Sequence, residues 1–566
     1  MAMQTLVAAV LAAFGTTALG ASIGQPVAFH TKPERSAAAH NELKSYIVQG
    51  PTLAAALAAV RATGATITHE LQIINAVAAR LTPAQVARLR ANHQLSLTVD
   101  AKTTLAASQA QGDQTGQNGF QPYVVEHTRA NLLHSSGITG TGVTIAFLDT
   151  GWWNQPAVQN NSAGQKAVLQ GYDAISNSVG ISAPQDQYGH GSHILSIAAN
   201  SAISDDGTYI GLAPGASRVI VRAFDQNGQG SYANTIRGIG WILANAATYH
   251  IRVVNMSFGA TPQSAYWNDP LAQAVMKLWQ AGIVVVASAG NGGPGAQTIT
   301  VPGNVPYVIT VGAMTNSYTT TNLGDDKLAS FSSTGPTYEG FVKPEIVAPG
   351  GHVTALMNRS STIAKAHPTF LDEKNYFYMS GTSMSAAVVS GTVALMLQAQ
   401  PSLTPDQVKC RLMSSAKPAL NTTGHLAYSV FQQGAGEIDA YAAVYSQVFN
   451  CANQGLNISA DIAGTQHFGG PANKDASGKF YIMNMNGSAW GQPASADGYT
   501  WSQGHTWSQG YTWSQGYTWS QGYTWSQGYT WSQGYTWSQS VPWSAGVASI
   551  NPAFAPASIN SWVDNQ

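Results

Sequence analysis

Five short runs of Val, Ile and Ala place the strongest constraint on how this chain folds. They read GVTIAFLDT, SRVIVRAF, IRVVNMSFG, GIVVVASAG and PYVITVGA. Near-continuous apolar runs of this kind are typical of strands that are covered on both faces. The segments YANTIRGIGWILANAATY and PLAQAVMKLWQAG between them have helical spacing. Residues 120–451 are therefore predicted to form an α/β domain of three layers around a mostly parallel central sheet, with right-handed crossovers.

A smaller unit is predicted ahead of this domain, over residues 42–102. The stretch SYIV reads as a strand and LAAALAAVR as a helix, and two strand-like runs follow. Thr82 and Pro83 form a natural N-cap and first turn for the helix AQVARLRAN, and LSLTV completes the unit as a strand. The order βαββαβ predicts a small ferredoxin-like α+β unit. A linker rich in Gln and Gly at 103–119 is expected to separate it from the larger domain.

The two ends of the chain differ in composition from the predicted domains. Residues 1–20 carry an apolar run followed by small residues, as a signal peptide does, although no Lys or Arg precedes the run. A buried N-terminal helix is the alternative. After residue 451 we expect a linker rich in Gly, Asn and Ser at 452–497 and a repeat tract at 498–543. In that tract Thr-Trp-Ser-Gln occurs seven times at six-residue spacing, and a tail at 544–566 follows.

Charge and cysteine content exclude several classes of protein. Only 9% of the residues are charged and the formal net charge is -1, so the charge gives no reason to expect nucleic acid or an anionic membrane as a partner. No later run of about 18 apolar residues predicts a membrane-spanning helix. Cys410 and Cys451 fit neither a disulfide-dense scaffold nor a zinc site built on cysteines. One disulfide and two buried thiols are both open alternatives for this pair.

Three local patterns each place a reactive side chain where a strand or loop ends. IAFLDTG puts Asp149 at the carboxyl end of a buried strand, the edge at which α/β folds build their sites. YGHGSHILSIAA puts His190 just ahead of an apolar helix. MSGTSMSAAVVSGTVALML puts Ser383 at the start of another, where free N–H groups favour negative charge. Taken singly, the acid reads equally as a turn residue, His190 and His193 as metal ligands, and the serine as a helix cap. These plainer readings do not account for the three patterns together.

These stretches resemble the three signature blocks of the subtilisin-like serine peptidases, in which the order along the chain is Asp, His, Ser. The blocks NMSFGA, ASAGNGG, SFSSTGP and VKPEIVAPGG resemble the same family. The resemblance covers residues 120–451 and implies the subtilisin-like fold and a serine endopeptidase. An acid peptidase family with this fold has Glu and Asp where this chain has His190 and Asn291, so these two residues disfavour that family. Lipase-type hydrolases need G-x-S-x-G with the serine ahead of the acid and the histidine. Here Ser383 comes last and lies in GTSMS.

The resemblance implies a role for each residue of these blocks. Ser383 would attack the scissile carbonyl, His190 would take the proton and return it, and Asp149 would orient the imidazole. Asn291 would join the backbone N–H of Ser383 in stabilising the tetrahedral intermediate. His193 would be a structural neighbour of the catalytic histidine.

Substrate binding is implied at three segments. One resembles the strand that pairs with an extended substrate, one resembles the opposite wall of the cleft, and the third helps to line the primary pocket. The residues concerned are Gly228, Gln229, Gly230, Ser257, Phe258, Gly259, Ala289 and Gly290. Thr300 would modify the floor of the primary pocket. No fixed charge is evident there, so we expect an apolar or medium-sized substrate side chain.

The implied chemistry requires no cofactor. Structural calcium is common in the family, but its ligands stay unknown here, and Asp205-Asp206-Gly207 reads either as a site or as an ordinary turn. The N-terminal unit resembles the family's inhibitory propeptide, which assists folding and then blocks the cleft. The chain's own propeptide is therefore an expected partner, and its cleavage is expected between Ala101 and Gln121.

The sequence thus predicts a secreted endopeptidase that acts on polypeptides and is made as a self-processed zymogen. An inactive, protease-shaped binding protein is disfavoured because all four catalytic positions are intact. The alternative is a surface or matrix protein in which the aromatic repeats are the working part. In an extended chain the Tyr and Trp of the repeats would share one face, and we expect them to hold the enzyme on a surface, glycan or insoluble protein. A low-complexity tail with little fixed structure is the other reading of the tract.

Overall fold

The computed structural model describes residues 42–106, 123–316, 319, 322–422, 426–474, 480–483 and 489–490. The expected signal peptide at 1–20, most of the linker at 103–119, the repeats at 498–543 and the tail at 544–566 lie outside the described residues. From Leu43 onward the described residues belong to one compact unit.

The N-terminal unit has the predicted element order. Its elements are β1 (Lys44–Gln49), α1 (Leu53–Arg61), β2 (Thr66–Leu71), β3 (Ala76–Leu81), α2 (Pro83–Arg90) and β4 (Ser96–Val99). The sheet order is β2-β3-β1-β4 with antiparallel neighbours, which is the ferredoxin-like arrangement. Thr82 caps α2 in a capping box with Gln85, as the Thr-Pro pair suggests. A core of its own lies between the two helices and the sheet.

The larger part of the chain follows as a succession of helices and strands. Its first half comprises β5 (Lys102–Leu105), α3 (Tyr123–His127), α4 (Ala130–Ser135), β6 (Thr144–Asp149), α5 (Pro156–Gln159), β7 (Val168–Asp173), β8 (Ser178–Val179), α6 (His190–Ala199), β9 (Ser217–Arg222), β10 (Gln229–Ser231), α7 (Tyr232–Asn245), β11 (Ile251–Met256), β12 (Phe258–Gly259), α8 (Pro270–Gln280) and β13 (Val284–Ser288). Its second half comprises β14 (Ile309–Thr315), β15 (Lys327–Leu328), β16 (Ile346–Pro349), β17 (Val353–Leu356), α9 (Thr362–Ala366), β18 (Tyr376–Met379), α10 (Thr382–Ala399), α11 (Pro405–Ser415), α12 (Val430–Gln433), α13 (Ala440–Tyr445), α14 (Ile458–Ile462), β19 (Ala472–Lys474), β20 (Phe480–Met483) and β21 (Ala489–Trp490).

The central sheet has the predicted character. Its order is β15-β14-β13-β11-β6-β9-β7-β8, with β16 also paired to β14. All of its pairings are parallel except those of the short strands β15 and β8. Each of the five apolar runs supplies one parallel strand, in chain order β6, β9, β11, β13 and β14. The prediction of a mostly parallel α/β fold is confirmed.

Helices cover the sheet on both sides. On one side α10 packs against β11, β13 and β14 and against α6, and α7 and α8 pack together on the sheet from the other side. Among the described residues, α10 is the one helix long and apolar enough to cross a membrane, and most of it is buried inside the domain. Its apolar composition is therefore that of a core helix.

The structure refines two predictions near the C-terminal end of the predicted α/β domain. Cys410 and Cys451 form a buried disulfide, which decides between the two alternatives for this pair. Beyond Cys451, the described part of the expected linker packs against the domain. Asp461 in α14 accepts hydrogen bonds from the hydroxyl groups of Tyr266 and Tyr307, at 2.6 and 3.0 Å.

Candidate active site

Asp149 and His190 meet at the carboxyl edge of the central sheet. Asp149 is the last residue of β6 and His190 is the first residue of α6. The imidazole Nδ1 lies 2.7 Å from Asp149 Oδ1, and both side chains are buried. A carboxylate in this position fixes the orientation of the ring, and it would stabilise the positive charge that the imidazole gains when it takes a proton.

The backbone around this pair is held by short polar contacts. Thr150 donates its backbone N–H to Asp149 Oδ1 at 2.8 Å, and its hydroxyl oxygen accepts the N–H of Gly191 at 2.8 Å. Gly189, with φ of 111°, makes the turn into α6, and a Cβ there would lie 2.7 Å from Ser361 Oγ. The end of β6 and the start of α6 are thus tied to each other directly.

Asp186 is a supporting residue that the sequence reasoning did not single out. Its Oδ1 accepts the N–H groups of Tyr188 and Gly189, and its Oδ2 accepts the N–H and hydroxyl of Ser192. Ser192 thus uses both its N–H and its hydroxyl to hold this carboxylate. An acid four residues before a helical histidine was the available signal in the sequence.

Ser383 is the second residue of α10, the position that the sequence predicted. Its hydroxyl donates to the carbonyl of Ser257 at 3.0 Å. The buried Nε2 of His190 has no hydrogen-bond partner among the described residues. The helices that carry the serine and the histidine, α10 and α6, pack against each other, and no hydrogen bond joins the two side chains. Such contacts are often loose before the reacting complex forms.

Asn291 and the backbone of Ser383 converge on one carbonyl oxygen. Asn291 Nδ2 donates to Ala106 O at 2.6 Å, and Ser383 N donates to the same oxygen at 3.4 Å. Thr382 holds the amide in place, because its N–H and hydroxyl donate to Asn291 Oδ1 at 3.0 and 2.8 Å. Two donors on one carbonyl oxygen form the arrangement that stabilises an oxyanion.

The segment that carries Ala106 lies as a strand in a cleft whose two walls are β10 and β12. β5 is the middle strand of a three-stranded antiparallel sheet between β10 and β12. Thr104 lies opposite Gln229 on one side and Gly259 on the other, and the N–H of Ala106 donates to Ser257 O at 3.3 Å. The first residues of the expected linker are therefore part of a sheet. Their partner strands lie more than a hundred residues away in the sequence, so local patterns did not predict the pairing.

The remaining substrate-binding candidates lie around the same strand. Gly228 precedes β10 with φ of 70°, and a Cβ there would lie 2.7 Å from the ring of Tyr188. Ala289 and Gly290 follow β13, and the N–H of Gly290 donates to the Thr382 hydroxyl at 3.2 Å. All eight candidates are thus within the two walls of the cleft or directly beside them.

Thr300 fills the space between the two walls. A Cβ built on Gly259 would lie 2.2 Å from Thr300 Oγ1, and one built on Gly290 would lie 2.8 Å from Thr300 Cγ2. The Thr300 hydroxyl also donates to Ala289 O at 3.3 Å. The threonine therefore touches both glycines and narrows the pocket between them.

His193 and the Asp206 turn lie outside this constellation. His193 is fully buried with Nε2 at 2.9 Å from Phe377 O, and burial lowers the pKa of its imidazole to about 3. It is therefore neutral and structural. Asp206 Oδ1 accepts hydrogen bonds from the Ser204 hydroxyl and the Thr208 N–H within one exposed turn, so local donors already use this oxygen.

Comparison with known proteins agrees with this geometry. The Subtilase family matches residues 140–436. Serine protease AprX of Bacillus subtilis is 38% identical over 288 residues, which cover 50% of this chain and 63% of AprX. Subtilisin E of the same organism is 28% identical over 425 residues, 74% of this chain and 94% of that protein. Among solved structures, fervidolysin from Fervidobacterium pennivorans, a keratinolytic enzyme related to subtilisin, superposes with a TM-score of 0.55 at 22% identity. The superposition covers 81% of this chain and 68% of fervidolysin.

Proposed function

The chain belongs to the subtilase family, and from that premise we propose that it is a serine endopeptidase made as a zymogen that cleaves itself between Ala106 and Ala107. Asp149, His190, Ser383 and Asn291 are the catalytic residues in this proposal. Residues 42–106 are the inhibitory propeptide.

The observation that carries the proposal is the position of the Ala106 carbonyl. Its oxygen accepts hydrogen bonds from both oxyanion donors, Asn291 Nδ2 and Ser383 N. The preceding residues run antiparallel to both walls of the cleft, which is how an extended substrate adds to a sheet. A peptide carbonyl held in this way is in line for attack by the hydroxyl of the same serine.

The chemistry follows from the groups around that carbonyl. Ser383 Oγ attacks the Ala106 carbonyl carbon as His190 Nε2 takes the hydroxyl proton, and Asn291 stabilises the oxyanion. The imidazolium, supported by Asp149, gives the proton to the Ala107 nitrogen, and the C–N bond breaks. Water then attacks the acyl-enzyme with His190 as base and releases the carboxylate of Ala106. Polypeptide substrates would pass through the same steps.

The strand in the cleft also supports a substrate preference. Ala106 stands at the residue whose carbonyl is cleaved, and Thr300 narrows the pocket beside it. Three residues earlier, the side chain of Thr103 is fully buried, and its Oγ1 would lie 2.5 Å from a Cβ on Gly230. We therefore expect cleavage after small side chains, a narrower preference than the apolar or medium-sized one expected from the sequence.

A fluorophosphonate probe and mass mapping test the proposal together. The wild-type chain should react with the probe and yield a mature form that begins at Ala107, whereas Ser383→Ala should stay unlabelled and full length. The Ser415→Ala chain is a control that removes a hydroxyl hydrogen-bonded to carbonyls within α11, and it should still label. Labelling that is equal in wild type and Ser383→Ala would refute the peptidase, and a mature terminus elsewhere would refute the cleavage bond alone.

Export and surface attachment belong to the same proposal. The apolar segment at 1–20 supports secretion, since it has the composition of a signal peptide. The repeated Trp and Tyr side chains at 498–543 support retention on a glycan or an insoluble protein by stacking. A chain truncated before Gly498 should label normally with the probe but be lost from such material, and unchanged retention would refute the anchoring role.

A further inference from the structure

A buried cluster of one imidazole and two carboxylates lies outside the catalytic constellation. It consists of His127 at the end of α3, Asp326 just before β15, and Glu437 between α12 and α13. His127 Nε2 lies 3.0 Å from Glu437 Oε1 and 3.3 Å from Asp326 Oδ2. We propose that this cluster, here called the His-Asp-Glu site, binds one divalent transition-metal cation of the zinc type.

The charges in the cluster favour a cation. When both are ionised, Asp326 and Glu437 bring two negative charges into the protein interior, where their side chains are 1% and 5% exposed. A protonated His127 would leave one of these charges uncompensated, and a buried net charge is costly. A divalent cation with a neutral imidazole balances both carboxylates.

The hydrogen bonding of Asp326 gives an independent indication. Apart from the 3.3 Å contact of Oδ2 with His127 Nε2, neither oxygen of this buried carboxylate has a hydrogen-bond partner among the described residues. Buried polar side-chain atoms normally have at least one. A metal ion bonded to one oxygen would satisfy a carboxylate that the described residues leave so poorly paired.

The donor atoms also have a suitable spacing and type. All three lie within 4.8 Å of one another. Zinc bonds of about 2.0 to 2.2 Å in a tetrahedron separate neighbouring ligands by about 3.4 Å, close to the two distances from His127. An imidazole nitrogen in the set disfavours calcium and magnesium, which take oxygen ligands.

The site would join three distant parts of the chain. Glu437 is fixed by two backbone hydrogen bonds with Lys417, at 2.7 and 2.8 Å. His127 ends the first described helix after the cleft-bound strand. A bound ion would therefore fasten the start of the mature domain to its C-terminal part, as a structural rather than a catalytic metal.

Metal analysis of the full-length Ser383→Ala chain tests the inference, because this chain does not digest itself under the proposed function. After treatment with a chelator and addition of zinc, it should hold one zinc ion per chain. Asp326→Asn and Glu437→Gln should lose that ion. Asp173→Asn, which removes a buried acid paired with Arg222, should keep it. Zinc at a hundred times its dissociation constant should raise the unfolding temperature by about 5 °C in the parent chain and not in the two site variants.

X-ray absorption on the parent chain keeps the test independent of how the variants fold. One imidazole nitrogen with carboxylate oxygens around the zinc is the expected coordination. Zinc binding that persists in a folded Asp326→Asn chain, coordination by several imidazoles, or no bound zinc would each overturn the proposal. The last result would mean that protons alone neutralise the cluster. Probe labelling of the chain with Ser383 intact reports separately on the peptidase.

Discussion

Replacing Thr300 by glycine should open the primary pocket to large side chains. The threonine side chain stands in contact distance of Gly259 and Gly290, so it fills the space that an aromatic ring would need. Its three side-chain heavy atoms leave with the substitution, and the pocket walls stay as they are. Burying a phenylalanine side chain is worth about 1.5 to 3 kcal/mol. At 1.36 kcal/mol per tenfold change in rate, kcat/KM for phenylalanine at the cleaved position should rise about 10- to 150-fold.

The assay compares the p-nitroanilides of Thr-Thr-Leu-Ala, which is the sequence of residues 103–106 in the cleft, and of Thr-Thr-Leu-Phe. Wild type should prefer the alanine substrate, and Thr300→Gly should shift the ratio towards phenylalanine. Thr300→Val keeps the branched shape without the hydroxyl and should behave as wild type, whereas Thr300→Ser should fall between. An unchanged ratio in a correctly folded Thr300→Gly enzyme would show that the threonine does not limit the pocket.

Three further substitutions test other parts of the structure. Asn291→Ala should lower kcat about 10²- to 10³-fold with little change in KM, the range known for removing this kind of donor from subtilisin; a loss below threefold in steady-state assays would exclude the amide from the oxyanion hole. Asp269 caps α8 from a buried position, which raises the pKa of its carboxyl to about 6. Its contribution to the free energy of unfolding is therefore full below about pH 4 and falls as the pH rises through 6, by up to about 3 kcal/mol. In denaturant unfolding of the Ser383→Ala chain, the additional substitution Asp269→Asn should remove this pH dependence. Parallel curves of stability against pH for the two chains would contradict the assignment. Cys451→Ser opens the disulfide loop, whose cysteines are 41 residues apart, and should lower the free energy of unfolding by about 3 to 4 kcal/mol. Reduction of the wild-type chain should reproduce this loss, and an unchanged denaturation midpoint would refute it.

The sequence predicted those features that depend on short segments. The five apolar runs became parallel strands because a strand covered on both faces has little choice of composition. Asp149, His190 and Ser383 lie at strand or helix ends that local patterns reveal, so their positions at one edge of the sheet were predictable once the sheet was parallel. Thr82 likewise identified the start of α2.

Features that depend on distant partners were not visible in the sequence. Residues 103–105 were expected to open a linker, but they continue the strand that begins at Lys102. The partners of that strand, Gln229–Ser231 and Phe258–Gly259, are far away in the sequence. The contact of Thr382 with Asn291 and the meeting of His127 with Glu437 likewise join residues 91 and 310 positions apart. No periodicity or spacing reports such contacts, because only the folded chain brings the groups together.

Under the proposed function, the strand that occupies the cleft makes the activity of the processed enzyme depend on concentration. While the Ala106–Ala107 bond is intact, residues 42–106 would be an inhibitor tethered to its target, with an effective concentration set by the chain itself. Cleavage would leave the described contacts of residues 42–106 in place but would make the pair a complex of two molecules. Inhibition of the processed enzyme would then depend on dilution and on the lifetime of that complex. The same molecules would stay inhibited at high concentration and become active when they are diluted.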